Sequence, residues 1–290
     1  MIISPSDTAF EGFRIIRERP GLILAWSGFY LLCLLAMILI LLLPNLGTLA
    51  AVEATGTPRD LSQLLARFGP PILIIFPMAM AMLIMLVTAV YRTVLTPEDK
   101  GFAHLKIGAD ELRMFLVSLL VILIFAVASG LYGAAVVTAA NASGRLHGAV
   151  TFIGSIGGVI LLGWLAVRLA LAGVMTFAEH HFRLGAAWRL TVGQFWRLLM
   201  TLVLTIFYAV LVVVLALTFS LVLAQVTGGF SLMGELASPD LSNLTPAFAL
   251  AMLGQLLLQL TLQTLLIVLV FVIFYAPPAA AYRRLKSPPV

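Results

Sequence analysis

The chain has 290 residues, 62% of them hydrophobic and 10% charged, whereas a soluble domain carries about 45–50% apolar and about 25% charged residues. So few charges cannot coat a water-soluble globule of this size, which excludes a disordered, collagen-like or coiled-coil chain and a conventional cytosolic enzyme. The net charge of +5 therefore reads as a membrane-topology signal rather than a nucleic-acid signature.

Six stretches lack Asp, Glu, Lys and Arg: 20–52, 68–91, 114–144, 146–167, 198–234 and 241–282, none shorter than 22 residues, while every other such interval has 10 or fewer. A lipid-crossing helix needs about 20 apolar residues, and backbone groups in lipid are satisfied only within a helix or a closed barrel. Trimmed at Pro, Gly and polar clusters, the stretches predict an all-α integral membrane protein. Its single domain over 1–290 has spans at about 21–43, 71–92, 114–138, 148–170, 198–223 and 248–275. With the N-terminus inside, only Arg59, Arg67 and Arg145 of the 17 basic residues lie outside, so the positive-inside rule puts both termini in the cytoplasm. Trp26, Trp164, Trp188 and Trp196 all fall at the inner interface, where amphipathic rings settle.

In chain order, Phe10, Phe13 and Ile16 oppose Glu11, Arg14, Arg17 and Glu18 on a short amphipathic helix before the first span. That span is too long for a cleaved signal, whose apolar core has about 7–15 residues; it holds the lone Cys33, so no disulfide framework is readable. Outside, Thr57-Pro58 followed by Leu61, Leu64, Leu65 and Phe68 predicts a capped short helix resting on the membrane surface. Pro70, Pro71 and Pro77, with Met78, Met80, Met82 and Met85, predict a kinked second span. Gly130 and Gly133 in the third span and Gly154, Gly157, Gly158 and Gly163 in the fourth predict close helix packing. Arg168 ends the fourth span; the uncharged run after it either lets the span run deeper or leaves the arginine snorkelling to phosphate level.

The segment 182–199 alternates Phe182, Trp188, Phe195, Trp196 and Leu199 with Arg183, Arg189 and Arg197. That composition suits either a helix in the headgroup plane that attracts anionic lipid or a connector whose bases enforce topology. Ser238-Pro239-Asp240 and Thr245-Pro246 are helix-start signals, the second opening the sixth span. In that span Gln255, Gln259 and Gln263, four residues apart, share a face. They are expected to point into the bundle, either as interhelical glue with Thr201, Thr205 and Tyr208 or as the wall of a polar path. Pro277-Pro278 is expected to end or bend the span.

A threefold pattern runs through these elements. The even spans end in Ala89-Val90-Tyr91-Arg92, Ala166-Val167-Arg168 and Ala281-Tyr282-Arg283-Arg284; the odd ones follow Phe13-Arg14-Ile15, Leu105-Lys106-Ile107 and Trp188-Arg189-Leu190. Three units of amphipathic segment plus helical hairpin account for it, as does reuse of interface chemistry without duplication. The inner-face bases Arg92, Arg168 and Arg283 hold matching positions.

No catalytic constellation is visible. Adjacent His180 and His181 beside Glu179 diverge on a helix, no second pair stands at a metal-site spacing, and no histidine lies well inside a span to activate Ser155. No phosphate-loop or dinucleotide fingerprint occurs. No catalytic residue, metal or cofactor is therefore expected.

The stretch Ala187-Trp188-Arg189-Leu190-Thr191-Val192-Gly193-Gln194-Phe195-Trp196-Arg197-Leu198 resembles the W-x-L-T-x-G-x-F-W segment of bacterial six-helix inner-membrane proteins, which themselves resemble the membrane domain ahead of some glycerophosphoryl diester phosphodiesterases. The resemblance implies an inner-membrane module linked to lipid handling; the phosphodiesterase activity belongs to a soluble barrel and is not carried over. The expectation is a non-enzymatic membrane protein meeting anionic lipid, or a protein partner or second copy, through Trp188, Arg189, Thr191, Phe195, Trp196 and Arg197. The alternative is a transporter or permease subunit that uses the glutamine stripe.

Overall fold

A computed structural model describes residues 4–42, 61–98, 102–228 and 246–286, which are helical without strands. The helices are α1 (Pro5–Ala9), α2 (Glu11–Glu18), α3 (Pro20–Leu42), α4 (Leu61–Leu95), α5 (Ala109–Ala142) and α6 (His147–Leu169), followed by α7 (Ala172–Glu179), α8 (Leu184–Leu190), α9 (Phe195–Val226) and α10 (Pro246–Lys286). Six helical segments are long and apolar enough to cross a membrane, and they match the six charge-free stretches. Thr57-Pro58 and Ser238-Pro239-Asp240 lie outside the described residues; Pro246 does open α10.

Two expectations are corrected. Residues 61–68 form no separate surface helix, because α4 runs unbroken from Leu61 through Pro70, Pro71 and Pro77. Of the two outcomes open to Pro277-Pro278, ending the span is excluded, since α10 continues to Lys286. Each proline removes one donor, whereas stopping a helix in an apolar segment strands several backbone groups, so the continuous helix wins. The segment 182–199 is not one helix: α8 and α9 are separated at Thr191–Gln194, where Gly193 takes φ +84°. The run after Arg168 extends the fourth apolar segment to Glu179, with only Ala170 and Leu171 between two helices. It folds as α7, whose Ala172, Val174, Met175 and Phe177 are buried.

The chain divides into two compact units, one of residues 1–11, 87–205 and 275–290 and the other of 12–86 and 206–274. In the first, the core gathers around α7 and the arginine-bearing ends of α4 and α10. Val90, Leu171, Val174, Ala276 and Ala280 are buried there, and Tyr91 packs against Phe177 and Tyr275 with ring centroids 6.0 and 6.4 Å apart. Buried hydroxyls are satisfied locally, Thr93 donating to the Ala89 carbonyl and Thr176 to that of Ala172. The hairpin α5–α6 closes on Tyr132, whose hydroxyl donates to the Gly154 carbonyl at 2.9 Å. A Cβ at Gly154 or Gly157 would collide with Val136 or Tyr132 and one at Gly158 would press tightly on Tyr132, whereas Gly130, Gly133 and Gly163 face nothing within 4 Å. In the second unit, Ile23, Trp26, Met82, Leu86, Val268 and Val272 are buried. There α2 meets α10 closely enough that a Cβ on Gly12 would stand 2.6 Å from Ile273 Cα.

Candidate functional site

The first unit holds all three arginines of the repeated pattern. At the end of α4, Arg92 is buried, 5% exposed. Its Nη1 donates to the His104 carbonyl at 3.0 Å and its Nη2 to Glu111 Oε1, while the guanidinium lies 5.5 Å from the centroid of the Phe177 ring. The accepting carbonyl belongs to a short helical turn in which Ala103 and His104 both take left-handed φ, 48° and 57°. Such residues persist only where the surroundings over-determine them, and the Arg92 bond is one of those constraints.

Near the end of α10, Arg283 repeats the arrangement. Its Nη1 donates to the Val94 carbonyl at 2.9 Å and its Nη2 to Glu11 Oε1 at 3.2 Å, with the Glu11 side chain 2% exposed. The next residue, Arg284, donates to Thr8 Oγ1 at 3.3 Å. Arg168, at the end of α6, departs from this scheme. Its Nη1 donates to the Thr191 hydroxyl at 3.2 Å, and Thr191 in turn donates to the Trp188 carbonyl at 2.7 Å. The guanidinium stands 5.7, 5.5 and 5.7 Å from the rings of Trp164, Trp188 and Phe195, and the two indoles meet edge to face at 5.1 Å. Its Nε is buried and has no hydrogen-bond partner. Among the described residues no carboxylate lies within ion-pair distance of it.

Each arginine thus reaches the segment that precedes an odd span: Arg92 the start of α5, Arg168 the α8–α9 turn, and Arg283 the start of α2. In two cases the receiving group is a glutamate. In the third it is a hydroxyl inside three aromatic rings.

Around this turn, Arg189, Val192 and Trp196 are exposed, Trp196 by 71%, and Arg197 donates from Nη1 to Gln194 Oε1 at 3.0 Å. The segment therefore brings Trp188, Thr191 and Phe195 onto Arg168 and leaves Arg189 and Trp196 outward. The glutamine stripe behaves differently: Gln255 and Gln259 are half-buried and Gln263 is exposed, contrary to the expectation that all three face inward. The inward polar position on that stretch is Thr264, whose hydroxyl donates to the Thr261 carbonyl on its own helix, and Thr205 likewise donates to Thr201. Because hydroxyls bond back to their own helix, burial there needs no amide partner across the interface.

The acids were the residues that sequence reasoning missed. The sequence puts Glu11 on the polar face of a short helix and gives Glu111 no role, yet both take the buried ends of ion pairs, and Glu179 accepts from the Tyr282 hydroxyl at 3.0 Å and Lys286 Nζ at 3.2 Å. Asp110 is held by Arg113 at 2.6 Å and lies 2.7 Å from His180 Nδ1. One signal was available: with only 12 acids in the chain, Glu11 and Glu18 stand before the first span and Asp110 and Glu111 before the third, while none stands between Glu179 and the fifth.

Set against known proteins, the chain matches no family model, no curated protein and no solved structure.

Proposed function

We propose that the protein is a non-enzymatic six-span module of a bacterial inner membrane, with both termini in the cytoplasm, that holds an anionic lipid headgroup at Arg168 and the α8–α9 turn. The observation that carries this reading is the contrast among the three arginines. Arg92 and Arg283 are paired with Glu111 and Glu11, whereas Arg168 meets a hydroxyl and three rings and, among the described residues, pairs with no carboxylate. A cation in a poorly solvated, aromatic setting attracts an anion strongly, and the flanking Trp196 and Arg189 are exposed, the pairing suited to the headgroup layer. The likeness of Trp188–Trp196 to lipid-linked membrane modules points the same way, and a threefold repetition of segment plus hairpin accounts for the three matching arginines.

Native mass spectrometry of the detergent-purified protein tests this. Arg168→Gln combined with Arg189→Gln should lower retention of phosphatidylglycerol about tenfold relative to phosphatidylcholine, while Arg145→Gln leaves it unchanged. Undiminished retention in the double variant, with its helical circular dichroism intact, would sink the assignment.

A further inference from the structure

A second feature of the first unit lies apart from the Arg168 turn. A cavity of about 650 Å³ opens among the ends of α4, α5, α7 and α10. This falls within the roughly 300–1,000 Å³ of small-ligand sites. Arg92, Arg283, Lys286 and His180 bring nitrogen donors to its wall, Asp110 is the one carboxylate there among the described residues, and Phe177 lies beside them.

The arrangement of charge around the cavity decides what it takes. The carboxylates that pair with these cations, Glu111 with Arg92, Glu11 with Arg283 and Glu179 with Lys286, do not line it. The cations line the space and those acids do not, each acid holding its cation's head in place as supporting carboxylates fix the ligands of a built site. Arg92 spends two N–H groups, on His104 and Glu111, of the five that a guanidinium carries. Asp110 is already engaged by Arg113 and sits against His180, so its charge is balanced at its own edge of the wall. Two guanidiniums and an ammonium converging on one small space suit a tetrahedral oxyanion of more than one charge, because guanidinium forks match phosphate geometry.

We infer that this cavity is a binding site for a phosphate dianion, either free inorganic phosphate or the headgroup of a phosphomonoester lipid. It is separate from the Arg168 turn and does not rest on the lipid reading given for that turn.

The test is isothermal titration of the detergent-purified full-length protein with inorganic phosphate and with dioctanoyl phosphatidic acid, each below its aggregation limit, with dioctanoyl phosphatidylcholine as the control. Substituting Arg92 or Arg283 strands a buried glutamate and endangers the fold, so the variants are chosen at exposed wall positions: Lys286→Gln, His180→Gln, and Thr96→Glu, which sets a negative charge on the wall. Binding of either phosphate probe, weakened at least tenfold by Thr96→Glu and severalfold by Lys286→Gln or His180→Gln, is the expected result. Phosphatidic acid binding at least tenfold tighter than inorganic phosphate assigns the headgroup; equal affinities assign the free anion. No binding of either probe, binding unmoved by all three variants, or equal binding of phosphatidylcholine overturns the proposal. Arg145→Gln, which belongs to neither site, should leave these titrations unchanged; the wall variants are read here and Arg168→Gln in lipid retention, so the two readings fail separately.

Discussion

Arg92 and Glu111 are both nearly out of water, with side chains 6% and 9% exposed, so each depends on the other for solvation. Removing one partner of such a pair leaves a buried charge and costs about 3–5 kcal/mol, whereas replacing both with apolar groups of similar volume is often neutral. Arg92→Met and Glu111→Gln are therefore each expected to lower the unfolding midpoint in detergent markedly, and the double variant Arg92→Met with Glu111→Met to recover most of the loss. Tryptophan fluorescence on heating reads all three. Arg168 makes the opposite prediction, since no carboxylate is stranded when it goes. Arg168→Met should cost only the Thr191 hydrogen bond and the ring contacts, about 1–3 kcal/mol together. A midpoint loss for Arg168→Met as large as for Arg92→Met would contradict the contrast between the two sites.

Helix contacts in this chain turn on a few small residues. Gly12 lets α2 approach the backbone of α10, with no room for a methyl group before Ile273 Cα. Backbone cannot swing aside as a side-chain tip can, so Gly12→Ala should destabilise by about 1–3 kcal/mol. Gly28→Ala, in the interior of α3 with open space around it, should be neutral or stabilise by up to about 1 kcal/mol. Thermal unfolding of the two alanine variants side by side checks the sign of both. The six long helices were legible because the charges that interrupt them are so few: Arg67 and Arg92 bracket one stretch, Arg113 and Arg145 another. Prolines were no reliable stop signal, because a helix in an apolar segment survives the loss of single donors, as α10 does at Pro277 and Pro278. The α8–α9 break was carried by Gly193 alone, whose left-handed φ is invisible to an alternation of aromatic and basic residues. Arg92, Arg168 and Arg283 were legible as matched positions. Their partners were not, because Glu11 and Glu111 on a short polar segment look like any solvated acid until the fold buries them.

The spanning helices bury little of their own surface: among the described residues Leu73, Leu131, Val159, Phe207 and Leu253 are all exposed although apolar. Side chains of this kind lie against lipid at little cost and against water at about 25 cal/mol per Å², so the exposure fits helices long and apolar enough to span a membrane. With 34 residues at 1.5 Å each, α5 spans about 51 Å, well beyond the roughly 30 Å hydrocarbon core. Its charged first turn, Asp110 to Arg113, can therefore stand outside the core at one end while Arg145 follows its other end. The positive-inside bias then makes a definite prediction for the two sides of the membrane. In a Cys33→Ala background, a membrane-impermeant maleimide should label Arg145→Cys in spheroplasts with intact membranes, and should label Glu98→Cys only after the inner membrane is opened. Cys33 must be replaced because it is the chain's sole cysteine. Labelling of Glu98→Cys in intact spheroplasts, with Arg145→Cys protected, would invert the topology and place Arg92, Arg168 and the phosphate cavity on the face away from the cytoplasm.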